Sequence, residues 1–376
     1  MLTEQEKDII KSTVPVLEEY GTGITKTFYK NMFEAHPELL NMFNQTNQKV
    51  GDQPEALAKT VLAAARHIDN LEAILPAVIG IGHKHRALNV KPEHYPIVGK
   101  YLLAAIQHVL GLESSDKILS AWEKYYGVIA QVFIDVEKDM YKEADWDGFQ
   151  PFEVINKEFL SDDIVRFTVK NDELKFGVQA GQYITVKVKP ENSDYEALRH
   201  YSISSIDTSK GLQFAVRREG KGDEKGVVSH HMFNDLNIGD TVEISAPAGD
   251  FLLDPSDDHL LFIAGGVGIT PVMSMIEEAM GNNKNIKLIY SVRNESELPF
   301  KEELEALKEK IDVEVRFTHE KGRLSGKDFR DYVEHSVYLC GSMDFMQSMI
   351  HFLQDEGFEM NQINYEPFGP KMSISI

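Results

Sequence analysis

Through the first 142 or so residues, apolar side chains recur three and four positions apart, and nothing alternates like a strand. Ile74, Val78 and Ile81 form one stripe, and Val98, Leu102, Ile106 and Val109 a second. Ile118, Trp122, Ile129, Phe133 and Val136 form a third. Such spacing lines one face of a helix and predicts an all-α domain over residues 1–142. Thr3 followed by Glu6 has the form of a capping box. Pro54 occupies the place of a first helical residue, with Asp52 or Gln53 as cap.

Near Asp145-Trp146-Asp147-Gly148 the pattern changes. Short alternating runs begin at Phe152, Ile164, Tyr183, Gln213 and Thr241, with Gly, Pro, Asp and Asn between them. They predict a small antiparallel β-barrel over residues 150–255. From residue 258 the strands become continuously apolar, as in Leu260–Ala264, and alternate with helical stretches. Ile286–Tyr290, Val313–Phe317 and Val337–Cys340 complete the set, which predicts a doubly wound α/β domain over residues 258–376. The expected chain is therefore multidomain: all-α, then antiparallel barrel, then parallel α/β.

Composition narrows the partners. The formal charge of −21 argues against nucleic acid and anionic membrane. With a single cysteine, Cys340, the 376 residues can form no internal disulfide and no Cys-based zinc or iron–sulfur site. The N-terminus lacks a basic start and apolar core, and no apolar run reaches membrane-span length. The expectation is a cytoplasmic monomer with small-molecule partners.

An all-helical domain in a chain with 13 histidines raises the question of a metal-ligating imidazole, although most histidines are surface or satisfied core residues. His83 and His85 close the helix expected over residues 71–88, and residues two apart point to nearly opposite sides. His85 continues the Ile74, Val78, Ile81 stripe, so it is the one expected to face inward. On periodicity alone, Tyr29 reads as a core tyrosine and Gln53 as a helix cap.

Taken in order, Tyr29, Phe43, Gln53, Leu57, Lys84-His85, Tyr95 and Glu137 resemble the globin domain of bacterial flavohaemoglobins, and the resemblance extends over essentially the whole chain. It implies haem b, with His85 as proximal iron ligand and Tyr95 and Glu137 supporting it. It puts Tyr29 and Gln53 on the distal side, where O₂ binds, and Phe43 and Leu57 against the haem and its ligand. Lys84 falls among the cofactor-binding positions. No C-x-x-C-H is present, so the haem would be held non-covalently.

In the barrel region, Arg199-His200-Tyr201-Ser202 reads as R-x-Y-S at the start of a strand. Gly226-Val227-Val228-Ser229 precedes an expected helix. An arginine pairs with phosphate, a tyrosine face stacks on a flat ring, and a glycine at a helix start lets backbone N–H groups approach a pyrophosphate. Each motif alone occurs by chance. The two in order, with Tyr183 of Gly181-Gln182-Tyr183, resemble the ferredoxin-reductase-like flavin barrel. That resemblance implies FAD on Tyr183, Arg199, His200, Tyr201, Ser202, Gly226, Val228 and Ser229.

Downstream, Gly265-Gly266-Val267-Gly268-Ile269-Thr270-Pro271 follows a strand and opens a helix. Thr270 reads as its N-cap and Pro271 as a first-turn residue. A plain strand-to-helix turn would not need three glycines in four residues, so the loop is expected to take a dinucleotide pyrophosphate. The segment resembles the NAD(P)H-binding loop of the same reductases. So do Cys340-Gly341 and Pro367-Phe368-Gly369-Pro370, where Phe368 would cover the flavin; its other reading is a buried tail aromatic. Arg293 follows the second strand of this domain and faces either a 2′-phosphate or solvent. The function implied is nitric oxide dioxygenase: NO and O₂ become nitrate, with electrons passing from NAD(P)H through FAD to haem. The rivals are an O₂- or NO-binding or sensing globin kept reduced by its own reductase, and a general NAD(P)H-dependent ferric or flavin reductase.

Overall fold

The computed structural model describes residues 2–43, 51–190, 193–220 and 226–368. The chain divides into two compact units, the first built mainly from Met1–Gly148 and the second from Phe149–Pro190 and Arg199–Phe368. The fold class expected from the sequence is borne out: helices, then an antiparallel sheet, then a parallel sheet.

The first unit comprises α1 (Glu4–Ser12), α2 (Val14–Ala35), α3 (Asp52–Arg66), α4 (Leu75–Ala87), α5 (His94–Leu110) and α6 (Lys117–Glu143). The capping box at Thr3 and Glu6 is present. Two helix boundaries differ from expectation. The cap of α3 is Gly51 in a left-handed conformation (φ 94°), so Pro54 is its third residue rather than its first. The helix expected over 71–88 is broken, because Pro76 lacks the N–H a continuous helix would use. Leu71–Ile74 forms a separate 3₁₀ turn, and α4 starts at Leu75. Ile10, Leu17, Ile24, Phe28, Leu102, Ile106 and Trp122 make the centre of the core.

The second unit opens with an antiparallel sheet in the order β4-β3-β6-β1-β2-β5. Its strands are β1 (Phe149–Phe159), β2 (Ile164–Lys170), β3 (Tyr183–Val188), β4 (Ala197–Ser202), β5 (Leu212–Arg217) and β6 (Thr241–Ser245). A bridge from Ile203, just beyond β4, to Phe214 on β5 joins the two edges and closes the barrel. Helix α7 (Val227–Asn234) follows β5.

The parallel sheet, ordered β11-β10-β7-β8-β9, holds β7 (His259–Gly265), β8 (Asn285–Val292), β9 (Asp312–Phe317), β10 (Ser336–Gly341) and β11 (Ile363–Pro367). Strand β7 is buried over five consecutive residues, as a strand covered on both faces should be. Helices α8 (Ile269–Gly281), α9 (Lys301–Leu307) and α10 (Met343–Asp355) accompany it. One face shares an apolar cluster with Ile164, Ala180, Ala215 and Phe251 of the barrel, so barrel and sheet form one body. Pro367, expected only as part of a C-terminal motif, ends the edge strand β11, which pairs with β10. Among the described residues, no helix is long and apolar enough to cross a membrane.

Candidate functional site

In the first unit α4 packs along α6 and presents His85 to Glu137. His85 Nδ1 lies 2.7 Å from Glu137 Oε1 and 3.2 Å from the Tyr95 hydroxyl. Tyr95 donates to the same carboxylate oxygen at 2.6 Å. Its own backbone carbonyl accepts from Tyr126 at 2.6 Å, which fixes the start of α5. Burial, then the neighbouring carboxylate, push the Tyr95 pKa well up, so its hydroxyl stays protonated and donates. In a neutral imidazole whose Nδ1 donates toward Glu137, the lone pair is on Nε2. The Glu137 side chain is 4% accessible and that of His85 is 32%, so the anchored edge is sealed while part of the ring remains open.

Tyr29 is buried on α2, tilted against Phe28 at 4.7 Å and stacked on Phe33 at 5.7 Å between ring centres. Phe43 meets its edge at 5.8 Å. One turn before Tyr29, Thr25 Oγ1 donates to Pro54 O at 2.7 Å, tying α2 to the first turn of α3 that carries Gln53. Gln53 and Leu57, four apart, share a face of α3. Phe43, Leu57, Val61, Ile81, Ile97 and Val98 pack against the buried clusters yet stay partly accessible. An imidazole anchored at one nitrogen, within a set of half-covered apolar side chains, fits a haem with an axial histidine. Lys84 is half-buried beside His85.

In the barrel, R-x-Y-S stands at the end of β4 and not at its start, because the strand begins at Ala197. This puts Arg199–Ser202 at the same end of the barrel as Tyr183, the first residue of β3. Arg199 and Tyr201 alternate with His200 and Ser202. His200 Nδ1 lies 2.8 Å from Thr185 Oγ1, and its ring is 4.8 Å from that of Tyr183. Tyr201 stacks on Phe214 at 5.7 Å. Burial lowers the Arg199 pKa, penalising its charged form, and an incoming phosphate would offset that penalty. Gly226 caps α7, and Val227, Val228 and Ser229 form its first turn instead of preceding it. Ser229 Oγ accepts from Glu219 N at 3.1 Å and donates to Gly226 O at 3.0 Å, so this hydroxyl holds the turn in shape. Val228 is buried beside it. A charge-bearing strand end and a glycine-capped helix start are groups that suit a flavin dinucleotide.

The glycine loop differs from expectation at its helix start. Gly266–Gly268 is a 3₁₀ turn, and α8 begins at Ile269 with Gly268 as cap. Thr270 is thus the second helical residue, its hydroxyl donating back to Val267 O at 2.9 Å, and Pro271 is the third. The three glycines have separate reasons. A Cβ on Gly268 would fall 2.3 Å from Cys340 O, so Gly268 allows the loop to touch β10. A Cβ on Gly265 would strike the Phe345 ring at 2.8 Å, and one on Gly341 the same ring at 2.6 Å. Gly266 needs its φ of +55° for the turn, and its nearest neighbour there is Arg217 Nη1 at 3.9 Å. Only the last leaves room for a ligand.

Tyr290 on β8 donates to Gly266 O at 3.0 Å and holds that peptide in place. Phe345, Tyr290 and Arg217 belong to no motif that the sequence makes legible. Cys340 is buried at the end of β10, donating to Glu366 O at 3.4 Å, and burial pushes its thiol pKa up. Pro367 is buried, but Phe368 is 43% exposed. The alternative reading of Phe368 as a buried tail aromatic is therefore wrong. Gly369 and Pro370 lie outside the described residues.

A helical unit with an anchored histidine, joined in one chain to a flavin-type barrel and a dinucleotide-type sheet, defines an oxidoreductase of the globin–reductase class. Residues 26–133 match the globin family, 151–252 the oxidoreductase FAD-binding domain and 262–351 the oxidoreductase NAD-binding domain. Flavohemoproteins from Oceanobacillus iheyensis and Bacillus subtilis are 42% and 40% identical over all of this chain and 98% and 99% of theirs. The chain belongs to the flavohemoprotein family. A crystal structure of flavohemoglobin from Malassezia yamatoensis with bound FAD and heme is similar over 98% of this chain and 100% of that one (TM-score 0.87, 27% identity). The flavohem-like FAD/NAD binding domain of nitric oxide dioxygenase from Vibrio cholerae is similar over 59% of this chain and 99% of that one (TM-score 0.53, 29% identity).

Proposed function

We propose that this chain is an NAD(P)H-dependent nitric oxide dioxygenase, converting NO and O₂ to nitrate. The observation that carries the reading is the Tyr95–Glu137–His85 array, with both hydrogen bonds received at one buried carboxylate oxygen. A carboxylate behind an imidazole N–H makes the ring a stronger donor, which favours activation of O₂ over reversible storage. A storage globin has no need of that push, nor of a complete reductase in the same chain.

Bound haem b supplies an iron that takes O₂, FAD accepts a hydride and releases electrons singly, and NAD(P)H is the hydride source. His85 Nε2 is the iron-holding atom, with Glu137 and Tyr95 fixing the ring and its tautomer. The Tyr29 hydroxyl and the Gln53 amide serve as distal donors, while Phe43 and Leu57 keep water out. Arg199 neutralises phosphate, Tyr201 packs on the flavin ring, and Ser202 donates to it. The start of α7 holds the FAD pyrophosphate and the Gly265–Pro271 loop that of the nicotinamide dinucleotide. Phe368, exposed beside β11, would cover the flavin and move aside for the nicotinamide.

The test is NAD(P)H oxidation by the holoprotein in air, with and without NO. The expected result is a spectrum with haem b and flavin together, and NAD(P)H oxidation that rises on NO addition while NO disappears. Oxidation indifferent to NO would favour the general reductase.

A further inference from the structure

Ser274, Glu277 and Glu278 are three and four residues apart on α8, so they share one face of that helix. The N-terminus of the same helix carries the Gly265–Pro271 loop. All three side chains accept hydrogen bonds from the barrel. Ser274 Oγ accepts from Gly181 N at 3.2 Å, and Glu278 Oε2 from Ala180 N at 3.2 Å. Glu277 Oε2 accepts twice, from Ser205 Oγ and from Ile206 N, each at 2.9 Å.

The two loops gripped in this way are those that flank the flavin-side residues. Ala180-Gly181 runs directly into Tyr183 at the start of β3, and Ser205-Ile206 follows Ser202 at the end of β4. The loops are also joined to each other, Ile203 N donating to Gln182 O at 2.9 Å. Gly181 has a φ of +90°, and a Cβ there would fall 1.9 Å from Phe251 O and 2.6 Å from Met275 Cε. Loop and helix thus meet with no room for slippage. One rigid helix is fixed at its N-terminus to the dinucleotide loop and along its side to both ends of the flavin cradle.

We infer that Glu277 is a positioning residue for hydride transfer: through its paired bonds to Ser205 and Ile206 it sets the register of the nicotinamide loop against the flavin strand. The inference rests on the flavin and nucleotide assignments above. Both hydrogen bonds at Glu277 Oε2 come from the loop after β4, not from the Arg199–Ser202 or Gly265–Pro271 residues assigned to the cofactors. It acts through the β4 loop, so its loss should alter how closely the two rings are held and leave the affinity for each largely intact. Misplacement of reacting groups by about 1 Å costs on the order of 100-fold in rate.

The test follows flavin reduction by NADH in the full-length holoprotein by stopped flow, scored per bound flavin, for wild type, Glu277→Ala and Glu277→Gln. Glu277→Ala should lower the limiting rate roughly 10- to 100-fold, with FAD content and NADH affinity near wild type. Glu277→Gln keeps an acceptor oxygen and should restore most of the rate. Hydrogen exchange at the Ile206 amide should be faster in Glu277→Ala, independent of turnover. An unchanged limiting rate per bound flavin in Glu277→Ala overturns the inference. If Glu277→Ala fails to keep FAD, Ser205→Ala carries the test: a lowered limiting rate supports the inference and a wild-type rate overturns it. Wild-type flavin that neither NADH nor NADPH reduces would contradict the functional reading itself, and this inference would fall with it.

Discussion

His85 Nδ1 and Glu137 Oε1 are 2.7 Å apart across two helices, with the carboxylate buried and the imidazole one-third accessible. This geometry commits one ring nitrogen to the protein and presents the other outward. Haem retention should therefore depend on His85 and not on its neighbour two residues away. His85→Ala is expected to lose stable haem and His83→Ala to keep it, measured as haem per protein and as the absorption spectrum. Equal haem in both would contradict the ligand assignment.

Glu137→Gln tests the partner. The glutamine still accepts a hydrogen bond but carries no charge, so the imidazole becomes a weaker donor. Outer-shell changes of this kind lower metal affinity or activity roughly 10- to 100-fold. The ferric/ferrous midpoint potential should rise and NO-dependent turnover should fall. A potential equal to that of wild type would remove Glu137 from the account.

The flavin should be separable from the haem. Arg199→Ala with Ser202→Ala removes the cation and the hydroxyl at the end of β4, so FAD affinity should fall and NAD(P)H should no longer reduce the haem. Dithionite should reduce it as before. Full NADH-driven turnover in the double variant would show that R-x-Y-S does not hold the flavin.

Tyr29→Phe keeps the stacked ring and removes the donor. A hydrogen bond to a charged acceptor contributes roughly 1.5–3 kcal/mol, about one to two powers of ten in affinity. Faster O₂ dissociation and slower NO consumption are expected, with flavin reduction by NAD(P)H unchanged. An O₂ dissociation rate equal to wild type would place the hydroxyl elsewhere.

Acid should loosen the first unit at the start of α5. His94 Nδ1 accepts from Lys91 N at 3.0 Å, which requires a neutral ring. Burial lowers its pKa below the ordinary 6.5; Lys91 adds to this and Glu93 opposes it. The unfolded chain therefore takes up the proton first. The stability this group contributes is fully present above pH 6.5 and is lost as pH falls from there through the lowered folded value. His94→Asn should flatten thermal stability across that window, and an unchanged slope would contradict the assignment.

Periodicity and turn chemistry made the three kinds of domain legible, because half-buried helices, barrel strands and buried parallel strands each leave a different apolar pattern. Helix starts were less legible. A glycine in left-handed conformation caps α3, and a 3₁₀ turn runs into α8, so Pro54 and Thr270 each stand two residues further in than their types suggest. The supporting residues left no local signal. Tyr290 fixes Gly266 from a neighbouring strand, Phe345 fills the space above two glycines, and Glu277 reaches a loop 71 residues away in sequence. Such pairings arise only once the chain is folded.

The central claim is tested most directly by the nitrate formed per NAD(P)H oxidised when the wild-type holoprotein turns over with NO and O₂ both present. Each hydride carries two electrons, and joining one NO to one O₂ as nitrate consumes one. The account therefore predicts two nitrates for every NAD(P)H. NAD(P)H oxidation with no nitrate formed would contradict it and leave a binding or sensing globin attached to its own reductase.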